Sequence, residues 1–174
     1  MPQQLALTII TDDRPGVIDR LANTIRAHQG NWLESSMARL AGKFAGILLI
    51  DVSDDHRDDL LAAVKSLERD GLKIIVESAV TPTVERGLCL DILLTANDRP
   101  GIVGEISRVL AEARVNIEQL NTWCENAPMS GETLFQLQAQ IQLPPGLDTE
   151  QLQWALETLS DDLVVEFERP PPGS

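Results

Sequence analysis

The chain has 174 residues and a formal net charge of −13, with 27 acidic against 14 basic side chains and no Lys after residue 83. Because proteins bind nucleic acid largely by neutralising phosphates with Lys and Arg, this composition argues against direct DNA or RNA binding. No apolar run is as long as a transmembrane helix, and the N-terminal run lacks the basic leader of a signal peptide, so we expect a soluble cytoplasmic protein that does not bind membranes.

The first half of the chain predicts a strand, a helix, two strands, a second helix and a last strand. Residues Leu5–Ile10 are apolar on both faces, which is typical of a buried central strand. Pro15 is placed to open a helix over residues 15–28, which Gly30 and Asn31 end. The remaining elements are predicted as strand Trp32–Ala38, strand Phe44–Val52, a helix with Asp54, Asp55 and Asp58 as candidate N-caps, and strand Leu72–Val76.

The second half repeats this order of elements. Asp13-Arg14-Pro15-Gly16 recurs as Asp98-Arg99-Pro100-Gly101, and Asn31 precedes Asn116 by the same 85 residues. Apolar residues alternate with glutamines from Phe135 to Leu143, as in a strand with one solvated face. The elements that follow are predicted as a helix containing Leu152, Leu156 and Leu159 and a strand at Leu163–Phe167.

A repeat of this length indicates that one folded unit has been duplicated. We predict domains at residues 1–83 and 84–169, a short stiff linker at Thr81-Pro82-Thr83, and a disordered proline-rich tail at 170–174. The order β-α-β-β-α-β in about 80 residues is that of the ferredoxin-like sandwich. The predicted fold class is therefore α+β, with two antiparallel sheets that each carry helices on one face.

No catalytic arrangement is evident in the sequence. His28 and His56 lie outside any metal-binding motif, and no Ser lies in a nucleophile-elbow pattern. Cys89 and Cys124 have neither metal spacing nor a disulfide framework. The acidic run at residues 54–59 lacks the Gly and the terminal Glu of a calcium loop. We therefore expect a protein without enzyme activity, metal or cofactor.

The two Asp-Arg-Pro-Gly loops are the strongest functional signal. Each joins a predicted strand to a helix N-terminus, where free backbone N–H groups and the helix dipole favour an anion. The Gly at the fourth position permits close approach of a ligand. A purely structural interpretation is also open, in which Asp caps the helix, Pro starts it and Gly relieves crowding.

These residues resemble a known family. Asp13–Val17 followed by Gly30–Glu34 resembles the ACT domain, a βαββαβ module that binds small metabolites, and Asn97–Ile102 followed by Val115–Ile117 matches its pattern more closely. The resemblance covers essentially the whole chain as two tandem copies. With no enzyme domain attached, and with Ser35–Phe44 also similar, the chain resembles the glycine cleavage system transcriptional repressor group.

The resemblance implies where a ligand would bind. In ACT domains that bind amino acids, the ligand lies between two domains, beside the loop after the first strand and near an Asn contributed by the facing domain. Ala96 replaces Thr11 in the second copy, which implies that the second site differs or is empty. Both copies have Asp where many members have Asn, and a carboxylate there can hold an ammonium group. The implied ligand-binding residues are Thr11, Asp13, Gly16, Val17, Asn31, Asp98, Gly101, Ile102 and Asn116.

The family also implies a function. We expect a non-catalytic regulator in which a small amino acid, glycine being one candidate, changes the affinity for a protein partner such as a transcriptional activator. Two alternatives remain, namely a regulatory subunit of a metabolic enzyme and a ligand-free dimerisation or interaction module. The sequence leaves open whether the chain forms a homo-oligomer.

Overall fold

The computed structural model describes residues 2–80 and 87–168. The chain divides into two compact units, Met1–Pro82 and Thr83–Ser174. The predicted linker at 81–83 and the predicted tail at 170–174 lie outside the described residues, and the predicted domain boundaries remain predictions. Among the described residues, no helix is both long and apolar enough to cross a membrane.

Each unit has the element order β-α-β-β-α-β. The first unit consists of β1 (Pro2–Asp12), α1 (Val17–Ala27), β2 (Asn31–Leu40), β3 (Lys43–Ser53), α2 (Asp54–Ser66), a 3-10 turn at Leu67–Asp70 and β4 (Lys73–Ser78). The second consists of β5 (Leu88–Asn97), α3 (Ile102–Glu112), β6 (Asn116–Asn126), β7 (Thr133–Leu143), α4 (Thr149–Glu157) and β8 (Val164–Glu168). Each unit forms a four-stranded antiparallel sheet, in the order β2-β3-β1-β4 or β6-β7-β5-β8. The predicted fold class, α+β with two ferredoxin-like sandwiches, is confirmed.

One face of each sheet packs against the two helices of its own unit. In the first unit every second side chain of β1 and β3 is buried there, and the helices close the core with Leu21, Ile25, Leu60 and Val64. In the second unit α3 and α4 close the core in the same way, with Ile106, Leu110, Leu152 and Leu156. The alternate apolar residues of the strands and the apolar faces of the helices therefore form one apolar layer in each unit.

The prediction that Leu5–Ile10 is buried on both faces is wrong for one face. β1 is a central strand, and its Leu5, Leu7 and Ile9 are buried under the helices. Thr8 and Ile10 point to the opposite face of the sheet and are exposed. The sequence is apolar on that face although the helices of the unit lie on the other side.

The predicted helix starts are displaced. α1 begins at Val17 instead of Pro15, because Gly16 occupies the N-cap position in the left-handed region, with φ 86°. The N-cap of α2 is Ser53 instead of an Asp, and no side chain caps that helix. Asp54 and Asp55 lie in its first turn, where their charge is favourable to the helix dipole.

The end of α1 also differs from the prediction. Gln29, not Gly30, adopts the left-handed conformation that ends the helix, with φ 59°. The N–H groups of Gln29 and Gly30 donate to the carbonyls of Arg26 and Ile25, as in a Schellman motif. A Cβ on Gly30 would lie 2.9 Å from Ile25 Cγ2 and 3.0 Å from Leu60 Cδ2, so Gly30 is needed for space between the two helices.

Candidate functional site

Two equivalent loops join the first strand of each unit to its first helix. Residues 13–16 join β1 to α1, and residues 98–101 join β5 to α3. The Asp13 N–H donates to the carbonyl of Gly42 over 3.0 Å, and the Asp98 N–H donates to that of Thr133 over 2.9 Å. Each loop is thereby tied to the hairpin between the second and third strands of its unit.

A glycine directs each loop into its helix. Gly16 and Gly101 are the N-cap residues of α1 and α3, with φ 86° and 89°, and no side chain caps either helix. The interpretation of the loop Asp as a helix cap is therefore wrong. The first-turn N–H groups and the positive end of the helix dipole are instead directed towards the loop, which favours an anion at this position.

In the first unit the acidic side chains of the loop are neutralised by β2 and β3. Arg39 Nη1 donates to Asp13 Oδ2 over 3.1 Å, and Lys43 Nζ binds the carboxylate of Asp12. The hydrogen bond from Lys43 holds the pKa of Asp12 below its usual range. Arg14 is 64% exposed, and its only ion pair among the described residues is with Asp12, at 3.4 Å, so its guanidinium is weakly held.

In the second unit the corresponding arginine is firmly held. Arg99 donates from Nη1 and Nη2 to the two carboxylate oxygens of Glu105, over 3.0 and 2.5 Å. These bonds lower the pKa of Glu105 and raise that of Arg99. The counterpart of Glu105 in the first unit is Arg20, which cannot pair with Arg14 and binds Asp70 instead, at 3.0 Å.

Asp98 also differs from its counterpart Asp13. The position of Arg39 is taken by Cys124, whose thiol lies against the Asp98 carboxylate. Loss of solvent around the thiol and, after it, the negative charge of Asp98 raise the pKa of Cys124. Within residues 87–168 Asp98 forms no ion pair, so the second loop keeps a carboxylate without a cationic partner.

The structure divides the residues implied for the first site between two depressions. Asp13, Gly16 and Val17 line one of about 240 Å³. Thr11 is buried and lines a separate one of about 200 Å³. The remaining lining residues are Arg14, Ile18, Asp19 and Phe44 in the larger depression and Ile10, Asp12, Lys43, Gly71 and Lys73 in the smaller.

The implied residues of the second site are placed differently. Asp98 and Gly101 lie in the loop as expected, but Ile102 is buried in the core of the unit. Ala96, the counterpart of Thr11, is likewise buried. Val17, the first-unit counterpart of Ile102, is only half-buried and faces the larger depression.

Asn31 and Asn116 lie far from the loops of their own units. Asn31 begins β2 opposite Asp51, which in turn pairs with Gln4 near the start of β1. The loop follows the other end of β1, about 26 Å away at roughly 3.3 Å per residue. Asn116 is exposed at the start of β6 and donates from Nδ2 to Glu118 Oε1 over 2.5 Å. Neither Asn therefore contributes to a site within its own unit.

The other candidate ligands are dispersed. His28 lies at the C-cap of α1, where Nδ1 bonds the carbonyl of Thr24 over 2.9 Å, and His56 lies in the first half of α2. Cys89 is half-buried in β5. In the part of the chain that the structure describes, no three His, Cys, Asp or Glu side chains group as they would around a metal ion.

Several residues around the first loop were not predicted from the sequence. Arg39, Lys43 and Phe44 come from the β2–β3 hairpin and reach the loop only through the fold. The available signal was the offset of 85 residues between the copies, which aligns Arg39 with Cys124 and Arg20 with Glu105. Identical loops therefore have different charged neighbours in the two units.

Comparison with known proteins agrees with this architecture. The ACT domain family model matches residues 3–77, and no curated protein is a significant match to the chain. An unknown protein from Galdieria sulphuraria is 24% identical, with a TM-score of 0.85 over 98% of this chain and 100% of that one. A candidate glycine cleavage system transcriptional repressor is 18% identical, with a TM-score of 0.73 over 98% of this chain and 99% of that one. At these identities, the structural likeness establishes a shared fold.

Proposed function

We propose that this chain, an ACT domain at residues 3–77 followed by a second unit of the same fold, is a non-catalytic regulator that senses a small amino acid. The observation that carries the proposal is the first loop. It combines an uncapped helix N-terminus, a weakly held Arg14 and two carboxylates around one depression of about 240 Å³. That volume suits a small metabolite, since pockets for larger ligands measure about 300–1,000 Å³.

The carboxylate of the amino acid is assigned to the start of α1. The first-turn N–H groups supply hydrogen bonds and a partial positive charge there. Arg14 can pair with the carboxylate as a planar fork because its ion pair with Asp12, at 3.4 Å, is easily given up. Arg39 supports this arrangement, since its ion pair with Asp13 weakens the repulsion between that carboxylate and the ligand carboxylate.

The ammonium group is assigned to the acidic side of the same depression. Asp13 and Asp19 both line it, and neither carboxylate is buried. Ile18, Val17 and Phe44 provide the apolar part of the lining. An amino acid with a small side chain matches the positive start of α1, the two carboxylates and the apolar lining of the depression. The resemblance to the glycine cleavage repressor group makes glycine the first candidate.

The second loop is proposed not to bind the same ligand. Arg99 is already satisfied by Glu105, and Asp98 places a carboxylate without a cationic partner beside the N-terminus of α3. A ligand carboxylate would be repelled there. The second unit then serves another purpose, either structural or in binding a partner.

We propose that a protein partner recognises the ligand-bound state of the chain. A ligand shifts an equilibrium only through its different affinities for two states, so the partner must distinguish the occupied from the empty first unit. The net charge of −13 leaves the chain poorly suited to hold DNA by itself. We therefore propose control of transcription through a DNA-binding activator; tight binding of promoter DNA by the purified protein alone would argue against it.

Thermal unfolding in the presence of each of the twenty amino acids tests the ligand. A ligand at about 100 times its Kd adds roughly 2.7 kcal/mol to the folded state, which moves Tm by several degrees. We expect a selective shift that Arg14→Gln abolishes. The matched variant Arg99→Gln should keep the shift, because Arg99 is committed to Glu105.

The remaining outcomes of that experiment are also informative. A shift lost in Arg99→Gln and kept in Arg14→Gln would place the ligand in the second unit. No shift with any amino acid would overturn the sensor and favour the ligand-free interaction module. Isolation of the native chain with a metabolic enzyme, and with no transcription factor, would favour the regulatory-subunit alternative.

A further inference from the structure

The face of the first sheet opposite its helices carries a patch of exposed apolar side chains. Ile10, Ile47 and Ile75 are 42%, 58% and 62% exposed, on β1, β3 and β4 respectively. Thr8 pairs with both Ile47 and Ile75, so Thr8, Ile47 and Ile75 form one row across three strands, and Ile10 lies two residues further along β1. We call this surface the open face; its central part consists of Ala6, Thr8, Ile10, Ala45, Ile47, Leu49, Lys73, Ile75 and Glu77.

The second unit shows that the fold itself does not require this patch. Leu93, the counterpart of Thr8, pairs with Gln138 and Glu166 where the first unit has Ile47 and Ile75. Thr95 likewise takes the place of Ile10. At the positions of Ile10, Ile47 and Ile75 the second unit therefore carries the polar residues Thr95, Gln138 and Glu166 on the same backbone. Contiguous exposed apolar surface of this kind usually marks an interaction site.

The strand pairings of the open face are compatible with packing against the same face of a second copy. A two-fold axis that runs across the strands, through the row of Thr8, Ile47 and Ile75, stacks the face on a second copy with the strands antiparallel. That axis places Ile10 over Ala6 of the other copy, and on the neighbouring strand it places Leu49 over Ala45. Ile10 and Leu49 then each meet an Ala, and Ile47 and Ile75 pack against their own equivalents.

The charges at the edge of the open face fit the same axis. On β4, Lys73 and Glu77 flank Ile75 on one face of the strand, since side chains two residues apart point the same way. The two-fold axis through Ile75 brings Lys73 of one copy to Glu77 of the other. Lys73 and Glu77 of one copy therefore form two contacts of opposite charge with Glu77 and Lys73 of the other.

We propose that the open face of the first unit is a dimer interface that takes the same face of a second copy of this chain, with the strands antiparallel. Sheets that pack face to face lie about 10 Å apart, so the isoleucines interdigitate at the centre of the interface. The interface is isologous, and a closed dimer results. This inference rests on the sheet alone and is independent of the amino-acid site.

Sedimentation equilibrium of the full chain tests the interface. The wild type should be a dimer, and the double variant Ile47→Gln/Ile75→Glu, which introduces the residue types of the second unit, should raise the dimer Kd by roughly a hundredfold or more. Val164→Glu is the matched control, because Val164 is 54% exposed on the corresponding face of the second sheet. It should leave the dimer unchanged, and all variants should keep the far-ultraviolet circular dichroism of the wild type.

Charge reversal tests the antiparallel arrangement separately. Lys73→Glu alone and Glu77→Lys alone should each weaken the dimer by about tenfold, because each creates two like-charged contacts across the axis. Lys73→Glu/Glu77→Lys together should restore it. A monomeric wild type, a dimer insensitive to Ile47→Gln/Ile75→Glu, or a charge-reversed double variant no stronger than the single ones would each overturn the proposal.

Discussion

At the scale of single residues, the two loop glycines are the clearest case of sequence dictating local structure. Gly16 and Gly101 have φ of 86° and 89°, and a Cβ added to either would meet no atom within 4 Å. Replacement by Ala therefore introduces conformational strain without a steric clash. The strain of one L-residue in this region is about 1–2 kcal/mol.

We predict that Gly16→Ala and Gly101→Ala each lower the free energy of unfolding by about 1–2 kcal/mol in urea. Gly104→Ala is the control, since Gly104 lies within α3 and also has open space around a new Cβ. It should stabilise the protein by roughly 0.5–1 kcal/mol, because Ala is the better helix former. Equal effects at all three positions would contradict the assignment of strain to the loops.

The ion pair of Asp12 with Lys43 predicts a dependence on pH. The pKa of the Asp12 carboxyl is lower in the folded chain than in the unfolded one, chiefly because of the hydrogen bond from Lys43. The folded state thus binds fewer protons, so the stabilisation is complete above the unfolded pKa of about 3.9 and is lost as pH falls through the folded pKa. Asp12→Asn should destabilise the chain at neutral pH and have little effect in strong acid.

Chemical unfolding at a series of pH values checks this. Asp59 is an exposed residue of α2 whose carboxyl has no ion pair among residues 2–80 and 87–168. The loss of unfolding free energy caused by Asp59→Asn should therefore differ much less between neutral and acidic pH. A destabilisation by Asp12→Asn that persists unchanged below the folded pKa would show that the charge of Asp12 is not its cause.

At the scale of elements, the sequence predicted the order and type of every α-helix and strand in the described residues, but not the 3-10 turn at Leu67–Asp70. Boundaries moved by a few residues where backbone geometry decides them. Gln29 and Arg114 take left-handed conformations at the ends of α1 and α3, although neither is a residue typical of that conformation. Their N–H bonds to the preceding helical turn hold them there, and no local sequence signal reports such bonds.

Gly46 shows how one residue can determine the packing of two strands. A Cβ at this position would lie 2.3 Å from the Ser36 carbonyl oxygen and 2.7 Å from Met37 Cα, both of which are backbone atoms of β2. Gly46→Ala must therefore push β2 away from β3. We predict a loss of several kcal/mol in unfolding free energy and faster hydrogen exchange in residues 35–38.

Gly42→Ala provides the comparison for Gly46→Ala. Gly42 has φ 75° but no atom within 4 Å of an added Cβ. Gly42→Ala should therefore lower the free energy of unfolding only by the strain of the left-handed region, about 1–2 kcal/mol. If Gly46→Ala is no worse than Gly42→Ala, the close approach of β2 and β3 does not govern this part of the sheet.

At the scale of the whole molecule, duplication of the fold has been followed by divergence of the surfaces. The loops are identical from Asp13 to Gly16 and from Asp98 to Gly101, yet Arg39 faces one and Cys124 the other. The open face is apolar in the first unit and largely polar at the matched positions of the second. The first unit therefore carries both proposed functions, namely ligand binding at its loop and dimerisation through its sheet.

The candidate site was only partly predictable from the sequence. The loop was found because four residues recur unchanged, and its position at a helix N-terminus followed from the strand and helix patterns. The charged residues around the loop could not be predicted, because Arg39 and Lys43 approach Asp13 and Asp12 only when the β2–β3 hairpin folds back. Asn31 is implied by the resemblance to contribute to the site of a facing domain, and its place at the far end of the sheet from its own loop leaves that role a prediction.

The most direct test of amino-acid sensing is a titration of the isotopically labelled full chain with glycine and the other small amino acids, followed by amide NMR signals. We predict saturable shifts at Gly16, Val17 and Ile18, and much smaller ones at Gly101 and Ile102. Arg14→Gln should abolish the shifts in the first loop. Spectra that do not change with any amino acid, or shifts confined to the second loop, would contradict the assignment of the site to the start of α1.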